Sequence, residues 1–101
     1  MIVRGTTPTV KYTFKVIDPE NITVAYFTMW QGETDILEKD LTEATIENGC
    51  LCWTLTQEET LSLDDKMQVE YECRYKTNDG SAFKTNKTAE RVESPRKGGV
   101  I

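Results

Sequence analysis

The chain has 101 residues, enough for one domain around one core and not for two. Its composition is 38% hydrophobic and includes two Trp, four Tyr and three Phe, which excludes a chain too polar to fold. Net charge is −5, from 17 acidic and 12 basic residues, so the surrounding field repels phosphate backbones and excludes nucleic acid as a partner.

The segment Met1-Ile2-Val3-Arg4-Gly5 lacks the apolar run of a signal peptide, and no stretch approaches the roughly 18 to 20 apolar residues of a membrane span. A chain made in the cytoplasm, with no membrane partner, is expected. Three cysteines are an odd number for a disulfide framework, so reduced thiols are expected.

From Thr9 to Val16 the residues alternate: Val10, Tyr12, Phe14 and Val16 point one way, Lys11, Thr13 and Lys15 the other. This pattern predicts a half-buried strand. Asp18-Pro19-Glu20-Asn21 ends it, because proline fixes φ and removes a ladder donor. Ile22 to Trp30 is apolar on both parities, with Val24, Tyr26 and Trp30 against Ala25, Phe27 and Met29. A central strand is predicted, either covered on both sides or turning its outer face to a partner.

Gln31-Gly32-Glu33 leads into Thr34 to Leu41, an edge strand guarded by Asp35, Glu38, Lys39 and Asp40, in which Ile36 is out of phase with Leu37 and Leu41. Ala44 to Ile46, the turn Glu47-Asn48-Gly49 and Cys50 to Leu55 make a hairpin. Its residue Trp53 is expected at the centre of the core.

Thr56-Gln57-Glu58-Glu59 has the spacing of a capping box and predicts one or two helical turns that place Leu61 and Leu63 over one end of the fold. Met67, Val69, Tyr71, Cys73 and Tyr75 alternate with charged and polar residues, the clearest strand pattern in the chain. Asn78-Asp79-Gly80 turns into a polar strand from Ser81 to about Thr88. Ser94 to Ile101 joins a breaker, two glycines and an apolar tip, either frayed or donated to a neighbour. Residues 1–93 are thus expected to form one β-sandwich of about seven antiparallel strands with one short helical turn, and 94–101 a flexible tail.

The chain has no histidine, so the commonest general base and metal ligand are missing together. The pairs Glu58-Glu59 and Asp64-Asp65 fall in a capped turn and a loop, where acids serve solubility and capping. Cys50-x-Cys52 on a strand places two thiols on one face about 7 Å apart, which is not the spacing of a zinc knuckle. No catalytic residue, cofactor or metal is expected. The triplets Asn21-Ile22-Thr23 and Asn86-Lys87-Thr88 match the glycosylation pattern, and are read as turn and strand residues.

The surplus is aromatic, and aromatic residues are enriched where proteins meet. Tyr26, Thr28 and Trp30, on one parity of their strand, and the tip Val100-Ile101 are the candidate interface.

The order of features resembles small prophage-encoded proteins of Gram-positive bacteria and, more distantly, the N-terminal domain of phage baseplate upper proteins (the BppU-like family). The resemblance is carried by Arg4-Gly5-Thr6-Thr7-Pro8 before the first strand, Gln31-Gly32, Glu38-Lys39-Asp40, Ala44 to Gly49, Trp53 to Glu59 and the long strand ending at Asn78-Asp79-Gly80. It implies an immunoglobulin-like sandwich serving as a structural, assembly-mediating part of a tail or baseplate, with other protein subunits, its own copies included, as partners. The alternative is a carbohydrate- or ligand-binding sandwich that uses Trp30 and tyrosines as stacking platforms.

Overall fold

The structure, a computed structural model, describes residues 1–101. Its strands are β1 (Ile2–Val3), β2 (Thr9–Thr13), β3 (Ile22–Gln31), β4 (Thr34–Asp40), β5 (Thr45–Glu47), β6 (Cys50–Thr54), β7 (Val69–Thr77), β8 (Ala82–Lys84), β9 (Thr88–Glu90) and β10 (Val92–Glu93). One helix, α1 (Gln57–Leu61), follows β6. A three-stranded antiparallel sheet in the order β2-β6-β5 faces a larger one in the order β4-β3-β7-β8, with β9 also on β7. A short parallel pair, β1 with β10, closes one corner.

The strand orders are those of an immunoglobulin-like sandwich, in which the second, fifth and fourth strands of the fold face the third, its hairpin neighbour, the sixth and the seventh. The expected all-β sandwich is present. It has ten strands instead of about seven, because β1 and β10 are added at the two ends and the last expected strand is divided into β8 and β9.

Trp53, fully buried, packs between the sheets as expected: its ring stacks on Phe27 with centroids 5.5 Å apart and meets Tyr12 edge-on at 6.1 Å. Its Nε1 donates to the Asp40 carbonyl at 3.0 Å, tying β6 to the end of β4 across the core. Met29, Leu51, Leu55, Val69 and Cys73 complete the centre.

Two bulges explain parities that strict alternation does not. Between Met29 and Trp30 the register on β4 jumps from Leu37 to Asp35, so Ile36 is an extra residue, and Ile36 and Leu37 both pack against the core. Between Ile22 and Val24 the pairing advances only from Thr77 to Lys76, so Thr23 is extra, and Ile22 and Ala25 are both buried.

Several strand ends differ from expectation. The first expected strand stops at Thr13, and Val16, expected inward, is 94% exposed. The reason is its partner: Thr13 pairs with Cys50, where β6 begins after the Asn48-Gly49 turn, and residues 14–16 have nothing to pair with. Phe14 still packs on Tyr75, at 4.9 Å. Met67, expected inward, lies outside β7 and is exposed, while its carbonyl receives Gln31 Nε2.

The strand expected from Ser81 to Thr88 breaks at Thr85. That residue donates its backbone N–H to the Cys73 carbonyl and accepts the Cys73 N–H on its hydroxyl. From Lys84 to Thr88 the chain takes four steps while β7 takes three, from Arg74 to Tyr71, so one residue loops out before β9 resumes the ladder.

The capping box forms as expected: Glu59 N donates to Thr56 Oγ1 at 3.1 Å, and Thr56 N to Glu59 Oε1 at 2.8 Å. Thr60 of α1 is fully buried. It accepts Gly5 N and donates to the Thr6 carbonyl, which pins the loop leading into β2.

Candidate functional site

Alternation along β3 and β7 sorts the residues of the larger sheet cleanly. Ala25, Phe27, Met29, Val69, Tyr71 and Cys73 go inward, and the intervening residues form an uncovered outer face. The register orders that face in rows. Val24 stands beside Lys76 and Ala82, Tyr26 beside Arg74, Lys84 and Asp40, Thr28 beside Glu72 and Glu38, and Trp30 beside Glu70 and Asp35.

Tyr26, Thr28 and Trp30, expected as one group, are thus neighbours on one face. Tyr26 is 44% exposed and Val24 38%, while Trp30 is half-buried and its Nε1 donates to Glu70 Oε2 at 2.8 Å. A shallow hollow of about 160 Å³ lies among Val24, Tyr26, Arg74, Tyr75, Lys76 and Ala82. Trp30 does not line it.

The rows are electrically ordered as well. Arg74, Lys76 and Lys84 gather at the Val24 end, with one acid, Asp40, whose carboxylate accepts Thr42 N, and Glu70, Glu72, Glu38 and Asp35 gather at the Trp30 end. Lys84 reaches Glu72 and Lys87 reaches Glu70, each at 3.5 Å, whereas Arg74, Lys76, Glu38 and Asp35 make no ion pair within the chain. The face therefore carries a dipole along its strands and an apolar line, Val24 to Trp30, down its middle.

Val100 and Ile101 lie apart from this face. The tail turns back on its own chain: Ile101 N donates to Gln57 Oε1 at 2.8 Å, and Gln57 Nε2 donates to the Ile101 carbonyl at 3.3 Å. The Ile101 side chain is left 89% exposed.

Three of the four acids singled out for chemistry have structural partners. Glu59 caps α1 and pairs with Lys39 at 2.9 Å, Asp64 accepts Lys66 N, and Asp65 accepts Ser94 Oγ. Cys73 is fully buried in the core, and that burial pushes its thiol up to about 12. Cys50 and Cys52 lie on the smaller sheet, where burial also raises Cys52, and no disulfide joins the three. No group of three or more Cys, Asp and Glu side chains is placed to hold a metal ion.

Sequence reasoning missed four residues that shape these surfaces. Gln31, assigned to a turn, is buried and bonds the backbone of Asp64 and Met67, fixing the loop into β7. Val92, given to no strand, is core, as is Ile2, and the two are opposite each other in the parallel pair. Glu90 binds the Met1 ammonium at 2.6 Å and the Tyr71 hydroxyl. Burial works against its charge, but those two partners outweigh it and hold the carboxyl below its usual range.

Compared with known proteins, the chain matches no family model, no curated protein and no solved structure.

Proposed function

We propose that this chain is a non-enzymatic structural protein that works through protein–protein contacts, with the outer face of β4-β3-β7-β8 as its contact surface and a second copy as its first partner. The observation that carries the reading is the electrical order of that face. A two-fold axis lying in the plane of contact, across the strands and between the Tyr26 and Thr28 rows, sets the basic end of one copy over the acidic end of the other. Arg74 then lies over Glu72 of the second copy, Lys76 over its Glu70 and Val24 over its Trp30, which outnumber the one like-charged pair, Asp40 over Glu38 on the edge strand β4. An apolar line flanked by complementary charge is the composition of a protein interface.

Four strands about 4.8 Å apart and seven residues of about 3.3 Å rise give a projected area of roughly 400 Å² per copy. That is about half of a standard interface, so the contact is weak and suited to an assembly in which many copies add up. The resemblance in turn and strand order supports a particular setting, a tail- or baseplate-associated component of a phage or prophage particle, made in the cytoplasm and built into the virion.

Sedimentation velocity up to millimolar concentration tests the contact, and mass spectrometry of purified particles from an induced prophage host tests the setting. The expected results are a concentration-dependent dimer that Tyr26→Lys abolishes, and the chain present in the particles. A strict monomer at millimolar concentration overturns the proposed surface. Particles free of the chain overturn the setting.

A further inference from the structure

The largest concavity of the molecule lies away from that face, in the seam where the edges of the two sheets come together. It has a volume of about 540 Å³ and runs along the whole of β2, opposite Thr85, Asn86, Thr88 and Glu90. β2 pairs only with β6, so its other edge is open.

Two observations identify which backbone groups face the seam. Leu55 N donates to the Pro8 carbonyl, so Pro8, Val10 and Tyr12 turn their backbone groups toward β6. The side chains of Thr9 and Thr54 touch at 2.8 Å and those of Thr13 and Cys50 at 3.3 Å, the close approach of non-hydrogen-bonded pairs. The N–H and C=O groups of Thr9, Lys11 and Thr13 therefore point away from the sheet, into the seam.

The fold itself places a strand in this seam. β1 enters from the same corner, where Met1 and Ile2 line the concavity, and hydrogen-bonds to β10 through Ile2 N to Arg91 O at 2.9 Å and Arg4 N to Glu93 O at 2.8 Å. It covers two residues and then turns away, leaving the length beside β2 open. On the floor, the buried Tyr12 hydroxyl has no hydrogen-bond partner; Thr85 is near enough to affect its ionisation but makes no aligned bond.

Lys11 decides what kind of strand fits. It is exposed at the middle of β2 and makes no ion pair in the chain. Two β2 edges pairing over their full length about a two-fold axis would set Lys11, the central residue, against itself, and like charges directly opposite are destabilising. A second copy is thereby disfavoured at this edge.

We propose that the seam is an acceptor for an extended segment of a different protein. The segment adds antiparallel to β2 by main-chain hydrogen bonds to Thr9, Lys11 and Thr13. It places an acidic side chain beside Lys11 and small β-branched side chains inward toward Tyr12 and Tyr71.

Selection of displayed random decapeptides on the full chain, followed by amide-exchange NMR of the chain with the winning synthetic peptide, tests this. The expected consensus alternates β-branched residues with a central Asp or Glu. The amides of Thr9, Lys11 and Thr13 exchange fast in the free chain and slow at least tenfold on binding, while those of Val10 and Tyr12 are protected throughout. Lys11→Glu, which leaves the β2-β6 ladder untouched, switches the central preference to Lys or Arg.

Peptides that bind without protecting those three amides overturn the proposal, as does a selection without alternation. Protection of the same amides in concentrated protein without peptide also overturns it, because the occupant is then a second copy.

Discussion

Reversing the charges at one end of the outer face is the most demanding check on the self-association geometry. In the two-fold arrangement Arg74 faces Glu72 and Lys76 faces Glu70, and symmetry repeats each pair. An attraction lost and a repulsion gained, each about 0.5 kcal/mol for exposed charges, make about 1 kcal/mol per pair and about 4 kcal/mol for the dimer.

The small area suggests a starting Kd of roughly 10⁻⁴ M, so Arg74→Glu with Lys76→Glu weakens association about a thousandfold, beyond detection. The complementary variant, Glu70→Lys with Glu72→Lys, fails alone for the same reason. Mixed with the first it forms a heterodimer, because each facing pair on β7 is again of opposite sign. Sedimentation of the two variants separately and together reads the result, with thermal unfolding of each confirming that it is folded. Two variants that both still self-associate refute the arrangement, and so does a mixture that stays monomeric.

Trp53→Phe should cost about 2 to 4 kcal/mol in urea unfolding with the slope unchanged, since it leaves a gap beside Tyr12 and strips the Asp40 carbonyl of its donor; a loss under about 1 kcal/mol refutes the role of that bond across the core. Thr56→Ala removes the cap of α1 and should cost about 1 kcal/mol in the same assay, and no change means that the cap contributes nothing. Glu59 and Glu90 are held below their usual range: burial opposes their charge, and Thr56 N–H and Lys39 at Glu59, and the Met1 ammonium and Tyr71 at Glu90, outweigh it. The unfolded chain therefore binds these protons at higher pH than the folded one. Their stabilisation is complete above an ordinary glutamate value of 4.5 and is lost as pH falls through the lower folded values. The unfolding midpoint should fall below that pH, less steeply in Glu90→Gln, and a midpoint flat down to about pH 3 contradicts this.

What could be read in the sequence depended on how local its cause was. The capping box at Thr56, the Asn48-Gly49 hairpin and the alternation of β7 are set by neighbouring residues, and all three appear in the structure. Trp53 was legible as core because its parity agreed with Leu51 and Leu55. The ends of β2 and β7 were not, because a strand ends where its partner ends, and that partner is distant in sequence. Val16 has the alternation of a buried residue but no strand beside it. The bulge at Ile36 left a visible trace, an apolar residue out of phase, whereas the break at Thr85 left none: a threonine whose hydroxyl replaces a ladder bond looks like any other threonine in a polar strand.

The outer face was legible in part for the same reason. Two apolar parities in Ile22 to Trp30 announced that the strand had a second side worth noticing, and alternation put Tyr26, Thr28 and Trp30 together on it. The charges that give this face a direction come from β7, β4 and β8, and only the register between strands brings Lys76 beside Val24 and Asp35 beside Trp30. A slip of two residues between β3 and β7 would keep every side chain on its face and still move Lys76 off Val24 and Glu70 off Trp30. The surface is therefore a property of pairing. Substitutions at the Thr23 and Ile36 bulges, which set that register, should weaken self-association in sedimentation velocity although no residue of the face is itself substituted.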